Sequence, residues 1–303
     1  MLRYALKRVL LALLTVFLVA AITFFAMHCV PGGPFDTEKA TDPATRAALL
    51  SRFHLDKSLP EQFLLYLGGA LRGDFGISLK TGREVSDMVF VAFSVSAHLG
   101  GLSLLAALPL GAALGCLAAA KRGRGGDRAV LVLTTLLLAV PSFVLATLFL
   151  LVFCLKLGWF GVWSADGGSL VLPVASLALY PMAYTARLTR ASMLEALSRD
   201  SIRAARARGL SRGAIVFKHA LKNAASPVVA CVGPMAAYTL TGSMVVETVF
   251  TIGGLGSRFV ESIGNRDYPV IMAATIVLAA LIALFSLVSD LLCRALDPRV
   301  ELA

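Results

Sequence analysis

Residues Tyr268–Ser289 read YPVIMAATIVLAALIALFSLVS, 22 residues without Asp, Glu, Lys or Arg. A helix rises about 1.5 Å per residue, so such a run matches the roughly 30 Å of hydrocarbon in a bilayer. Five further uncharged runs occur, at Val9–Val30, Met88–Ala120, Ala129–Leu155, Gly167–Ala186 and Asn223–Val246. The second exceeds what a span needs, which predicts a helix starting near Ser94. All are continuously apolar rather than alternating. That selects helices over a barrel, because a helix satisfies its backbone hydrogen bonds within its own segment. The sequence therefore predicts an all-α integral membrane protein with six transmembrane helices, one per run. Composition agrees, with 58% of 303 residues hydrophobic and 15% charged, against about a quarter charged in soluble domains.

Arg3, Lys7 and Arg8 precede the first run as in a secretory signal. The run is longer than the roughly 7–15 apolar residues of a signal core, and no small-residue cleavage site follows. His28 stands where a lipoprotein signal before Cys29 would carry a small residue, so this segment reads as a retained span. Lys and Arg cluster in four places, with three at the amino terminus, four in Lys121–Arg128, nine in Arg187–Lys222 and two at the carboxyl end. Threading six spans alternately puts all four clusters on one side and twelve of the 18 acids on the other. The positive-inside rule then places both termini in the cytoplasm. The net charge of +10 reports topology and not nucleic-acid binding. Trp159 and Trp163 flank the outer end of the third run, where indoles favour the membrane interface.

The chain divides accordingly into an N-terminal segment with the first span (1–30), an extracytoplasmic loop with short helices (31–93), and a core of five spans (94–303) containing a cytoplasmic loop at 187–225. In the outer loop, Ala47, Leu50 and Phe53, then Phe63, Leu64 and Leu67, recur at helical spacing, interrupted by Pro60. The five cysteines are odd in number and show no C-x-x-C spacing, so they read as small membrane-compatible residues.

The inner loop carries Ser198–Leu210, SRDSIRAARARGL, an alanine-rich stretch ending at a glycine. It predicts a short helix stopped by Gly209, with Ser198 or Asp200 capping its first turn. Ser211 caps a second helix over Arg212–Asn223, giving a helix-turn-helix on the cytoplasmic face. A basic loop held at anionic headgroups is the simpler alternative.

Ala204, Ala205, Gly209 and Pro227 stand as in the cytoplasmic loop of the binding-protein-dependent ABC importers, whose pattern sets Glu-Ala-Ala, then Gly, before a later Leu-Pro. Two positions depart, with Arg203 in place of the acid and Ser226 in place of the leucine. Pro31-Gly32-Gly33-Pro34, Gly73-Asp74-Phe75-Gly76, Pro141-Ser142-Phe143, Gly242-Ser243-Met244-Val245-Val246-Glu247, Gly253-Gly254-Leu255-Gly256, Asn265-Arg266-Asp267-Tyr268 and Asp297-Pro298 extend the likeness over nearly the whole chain. The sequence thus resembles the subunit-B permeases of the oligopeptide branch, which share most of these motifs with the dipeptide and nickel branches. The resemblance implies a type I ABC importer permease fold in the bacterial inner membrane and a non-catalytic subunit. It implies a second homologous permease subunit, two ATPase subunits and an extracytoplasmic peptide-binding protein as partners. It implies no cofactor on this chain, ATP and magnesium being bound by the ATPases. Glu195, Asp200, Ile202, Arg203, Ala204, Ala205, Gly209 and Leu210 are then the expected coupling residues, with Ile202, Ala205 and Leu210 packed into an ATPase groove and Glu195, Asp200 and the loop's arginines paired with charges at its rim.

The chain has no G-x-x-x-x-G-K-[ST] phosphate loop, since the glycines, Lys80 and Thr81 of Gly73–Thr81 have the wrong spacing. All six span cores lack Asp, Glu, Lys and Arg, which argues against an ion-coupled secondary carrier. His28, His54, His98 and His219 are scattered and suggest no intramembrane enzyme. His98 and Glu247 fall toward the outer ends of their spans, within reach of water. Glu247 either is simply solvated, pairs with Arg258 or Arg266 at an outer gate, or meets a peptide amino group. Pro141, Ser142 and Phe143 bend the third run at a gate or for packing alone, and Gly242 and Ser243 join Glu247 as pathway candidates. Gly111 and Gly115 form a G-x-x-x-G that permits close helix approach without naming a partner. Dipeptides, nickel chelates, glutathione and murein peptides remain alternative substrates.

Overall fold

The computed structural model describes residues 2–31, 51, 53–163, 168–240 and 244–296. In chain order the helices are α1 (Leu2–Cys29), α2 (Leu59–Ala70), α3 (Val85–Ala120), α4 (Gly125–Ala139), α5 (Ser142–Phe149), α6 (Val171–Ser198), α7 (Asp200–Ala207), α8 (Arg212–Ala214), α9 (Leu221–Leu240), α10 (Met244–Val249), α11 (Leu255–Asn265) and α12 (Tyr268–Leu296). Wider π-helical turns follow α5 at Leu150–Lys156 and α8 at Ile215–Ala220. The chain forms two compact units, Met1–Val95 with Gly253–Leu284, and Ser96–Ile252 with Phe285–Ala303.

In the first unit Pro60 sits in the first turn of α2. It starts the helix and does not interrupt it, because the missing N–H falls where no intrahelical acceptor exists. Phe63 of α2 meets Phe24 of α1 at a ring separation of 5.3 Å, in a cluster with Ala20 and Met272. A second cluster joins Phe75, Val85, Val89, Ala92, Leu255, Val270, Ala273 and Ala274. It explains why α3 begins at Val85 and not near Ser94, since its first turns are buried against protein. Asp267, itself buried, accepts from the Ser78 hydroxyl at 2.5 Å and the Leu79 N–H at 3.1 Å. Those two bonds tie the turn after Ile77 to the α11–α12 junction.

The second unit is organised around α6, which packs against α4, α5, α7, α9 and α10. Its contact with α3 is made by the glycine pair. A Cβ on Gly111 would lie 2.6 Å from the Met182 carbonyl oxygen, and one on Gly115 would lie 2.5 Å from that of Ala186. The G-x-x-x-G therefore serves a helix of the same chain. Gly233 of α9 lies equally close to Ser289 of α12, and the Ser289 hydroxyl donates to the Ala230 carbonyl at 3.0 Å. That carbonyl is the one deprived of its helical donor by Pro234.

Three further boundaries differ from the sequence reading. The third apolar run is not one helix, since α4 and α5 with its π-helical extension meet at 96°. Val140, preceding the proline, is extended at φ −84° and ψ 124°, as Pro141 requires of its neighbour. Helix α6 continues past Ala186 to Ser198 because Thr189, Ser192, Met193 and Ala196 are buried. The second inner helix does not end at Asn223 but leads through the π-helical turn into α9. Among the described residues, four helices are long and apolar enough to cross a membrane, Leu6–Cys29, Val85–Ala120, Pro227–Val249 and Tyr268–Leu291, or five if the bent pair is one span.

The glycine contact yields a test. Gly115→Ala forces a methyl against a backbone oxygen, so it lowers stability by about 1–3 kcal/mol, read as a fall in the melting midpoint of the detergent-solubilised chain. Gly68→Ala in α2, where the added carbon meets nothing within 4 Å, leaves the midpoint unchanged or raises it. Equal midpoints for both variants would refute the packing role.

Candidate functional site

Helix α7 is short and two-faced. Ile202 and Ala205, three residues apart and each 1% exposed, pack against Ala119, Met193, Ala196, Ile215 and Ala220. Asp200, Arg203 and Ala204 occupy the opposite, exposed face. The expectation that Ile202 and Ala205 enter an ATPase groove is therefore corrected. They anchor the helix to its own protein, because eight residues cannot hold a helix in place without a buried face. Leu210 stays partly open at 37% exposure.

The ends of α7 are defined by hydrogen bonds. The Ser198 hydroxyl donates to the Glu195 carbonyl at 2.7 Å, so it closes α6 instead of capping α7. Asp200 pairs with Arg203 at 3.3 Å and Glu195 with Arg199 at 2.9 Å, leaving these acids matched within the chain. At the other end Gly209 has φ +77°, and the Leu210 N–H reaches back to the Ala205 carbonyl at 3.3 Å. This is the left-handed glycine stop foreseen from the sequence. Ser211 accepts from the Ala214 N–H at 3.3 Å, as its capping role requires.

One feature near α7 escaped the sequence reading. Asp127 of α4, buried at 2% exposure, takes two bonds from the Arg190 guanidinium of α6, at 2.6 and 2.9 Å. The Gly123 N–H adds a third at 2.8 Å. The available signal was a lone acid among the four bases of Lys121–Arg128. The forked geometry makes this a directional joint between α4 and α6, one turn before Met193 enters the core beneath α7.

The pathway candidates separate. Pro141, Ser142 and Phe143 form the elbow between α4 and α5, with Pro141 as the N-cap of α5 and Phe143 exposed. Glu247 is not within reach of water. It is fully buried, and one carboxylate oxygen accepts from the Ser96 hydroxyl at 2.6 Å. Arg258 pairs with Glu261 at 2.9 Å, and His98 is exposed. Gly242 and Ser243 lie outside the described residues. In the first unit a cavity of about 710 Å³ is lined by Phe24, His28, Tyr66, Asp74, Tyr268 and Met272 among others. Burial, reinforced by the Asp74 charge, raises the Tyr66 phenol above its ordinary range.

Comparison with known proteins gives consistent relatives. Residues 111–302 match the family described as binding-protein-dependent transport system inner membrane component, and residues 1–97 match its N-terminal component. The dipeptide transport system permease protein DppB of Bacillus subtilis is 41% identical, over 100% of this chain and 99% of its own length. The oligopeptide transport system permease protein OppB of Haemophilus influenzae is 39% identical, over 99% of this chain and all of its own. The inward-facing MetNI methionine ABC transporter aligns with a TM-score of 0.54 at 20% identity, covering 70% of this chain and 96% of that one, a likeness of fold. With a family match over most of its length and full-length relatives near 40% identity, the chain belongs to the binding-protein-dependent transport system inner membrane components, the multi-pass permeases of that system.

Proposed function

We propose that this chain is the transmembrane permease subunit of an ATP-binding-cassette importer that moves oligopeptides across the bacterial cytoplasmic membrane. Its partners are a second, homologous permease, two ATPase subunits that bind ATP and magnesium, and an extracytoplasmic peptide-binding protein. Dipeptides are the second reading, favoured by the dipeptide permease among the relatives. The bent α4–α5 pair counts as the third span and α6 as the fourth, which gives six spans with both termini cytoplasmic.

The observation that carries the reading is α7. A helix too short to stand alone is held by Ile202 and Ala205 against the end of α6, and its other face offers Asp200, Arg203 and Ala204. Such a helix transmits force, since displacement of its outer face by closing ATPases is delivered through a packed core to α6. The Asp127–Arg190 joint continues that route to α4. The Pro141–Phe143 elbow, with Glu247 and the adjoining Gly242 and Ser243, is assigned to the gate that responds.

The two faces of α7 make separable predictions. Ile202→Ala lowers stability by about 2–4 kcal/mol through the cavity it leaves. Arg203→Glu leaves the melting midpoint unchanged but cuts peptide-stimulated ATP hydrolysis of the reconstituted importer at least tenfold. If Arg203→Glu transports normally, the exposed face does not meet the ATPase. Gly209→Asp meets open space, so its cost is the left-handed backbone alone, about 1 kcal/mol. The chain still assembles in the membrane and transport falls at least tenfold, as measured by uptake of labelled tripeptide into vesicles. Wild-type uptake would remove Gly209 from the coupling site.

A further inference from the structure

Helix α6 is buried on nearly every side, and what it leaves exposed is a single stripe. After Val171 at its start, the exposed positions are Tyr180, Tyr184, Arg187, Ala191, Glu195 and Ser198, spaced by three or four residues. Elsewhere the exposed spans present hydrocarbon, as with Leu10, Leu14 and Ile22 on α1, Phe90, Leu105 and Leu110 on α3, and Ile282, Leu284 and Val288 on α12. Lipid accepts those side chains. It accepts phenol hydroxyls poorly, since their transfer into hydrocarbon costs several kcal/mol, and Arg187 follows directly on the end of the uncharged run. The stripe explains why α6, at 28 residues, is not among the helices apolar enough to cross a membrane.

An interfacial aromatic belt does not account for Tyr180. It stands about 14 Å along the helix from Val171 and about 9 Å before Ala186, where the uncharged run ends, by the rise of 1.5 Å per residue, while Tyr184 lies nearer the inner end of that run. Their rings stack at 6.4 Å and 20°, and the Tyr184 hydroxyl lies 3.9 Å from Cys231 Sγ of α9. Tyr238, two turns beyond Cys231 on the same helix, is 64% exposed. Arg187 makes no ion pair among the described residues.

We propose that Tyr180, Tyr184 and Arg187 of α6, with Tyr238 of α9, line a hydrated path for the transported solute. The phenol hydroxyls offer both donors and acceptors to a peptide main chain, and Arg187 receives the terminal carboxylate. This rests on the peptide-importer reading and on α6 crossing the membrane. Phenols suit a carrier that must accept many sequences, because they bind the backbone amides that all peptides share and are not selective for side chains. A guanidinium adds one geometric requirement, a carboxylate for its two parallel N–H groups.

The test uses the complete importer in proteoliposomes, with peptide-stimulated ATP hydrolysis of the parent complex established first. Absence of that stimulation would overturn the importer reading itself. Tyr184→Cys, measured against the parent chain, is expected to react with a charged, membrane-impermeant methanethiosulfonate at least tenfold faster than Leu105→Cys, and trialanine with the binding protein slows that reaction at least threefold. Cross-linking of Tyr184→Cys to the second permease with no labelling, or reaction only with a lipid-soluble maleimide, would overturn the path. Labelling without protection by peptide would overturn the substrate contact. Arg187→Gln raises the KM for trialanine about tenfold while sparing trialanine amide, and Arg187→Lys partly restores it. An equal effect on both peptides would overturn the carboxylate assignment.

Discussion

The second unit depends on the near contact of two backbones, α3 and α6, at Gly111 and Gly115. A bilayer provides little hydrophobic force to join helices, because lipid tails are as apolar as leucine, so association relies on packing and on close approach. Two missing side chains on α3 let the carbonyls of Met182 and Ala186 come within 2.6 Å of where a Cβ would stand. Once α6 is seated there, α4, α5, α7, α9 and α10 pack onto it. Its continuation to Ser198 supplies Arg190 for the joint with Asp127 and Met193 and Ala196 for the bed of α7. A movement imposed on α7 therefore reaches a helix that has no independent freedom to absorb it.

Breaks in the helices are handled by local chemistry. Pro234 removes the donor that would have served Ala230, and the Ser289 hydroxyl replaces it across a gap kept narrow by Gly233. Pro141 is different, because the chain uses it to turn through 96° and the freed groups are taken up at the start of α5. The Val144 N–H binds the Pro141 carbonyl at 3.0 Å. One proline is thus healed and the other exploited, and the two cases are distinguished by whether a neighbouring helix brings a hydroxyl within reach.

Much of this was legible in the sequence. Uncharged runs located α1, α3, α9 and α12, and the glycine at 209 marked the end of α7. The facing of α7 was also written there, in the three-residue spacing of Ile202 and Ala205, but a partner groove and the protein's own core ask for the same pattern, and only the packing tells them apart. The right angle at Pro141 was hidden because a kink and a corner begin with the same residue. In the sequence Asp127 is one acid of a charged segment, because its partner is 63 residues distant, and Glu247 reads as wet, because a chain position cannot report the Ser96 hydroxyl packed against it.

The hardest helix to read was α6, and the reason is physical. Hydropathy measures how well a whole segment suits lipid, whereas a helix enclosed by its own protein is constrained only by its neighbours and by whatever faces the remaining gap. Ser176, Thr185, Thr189 and Ser192 are admitted because they are buried among helices close enough to satisfy hydroxyls, and Ser176 binds the Leu172 carbonyl at 2.8 Å. Tyr180, Tyr184 and Arg187 are admitted on the other condition, that their stripe does not meet hydrocarbon. In the proposed six-span arrangement, a helix that scores poorly because it is central is what a solute path requires.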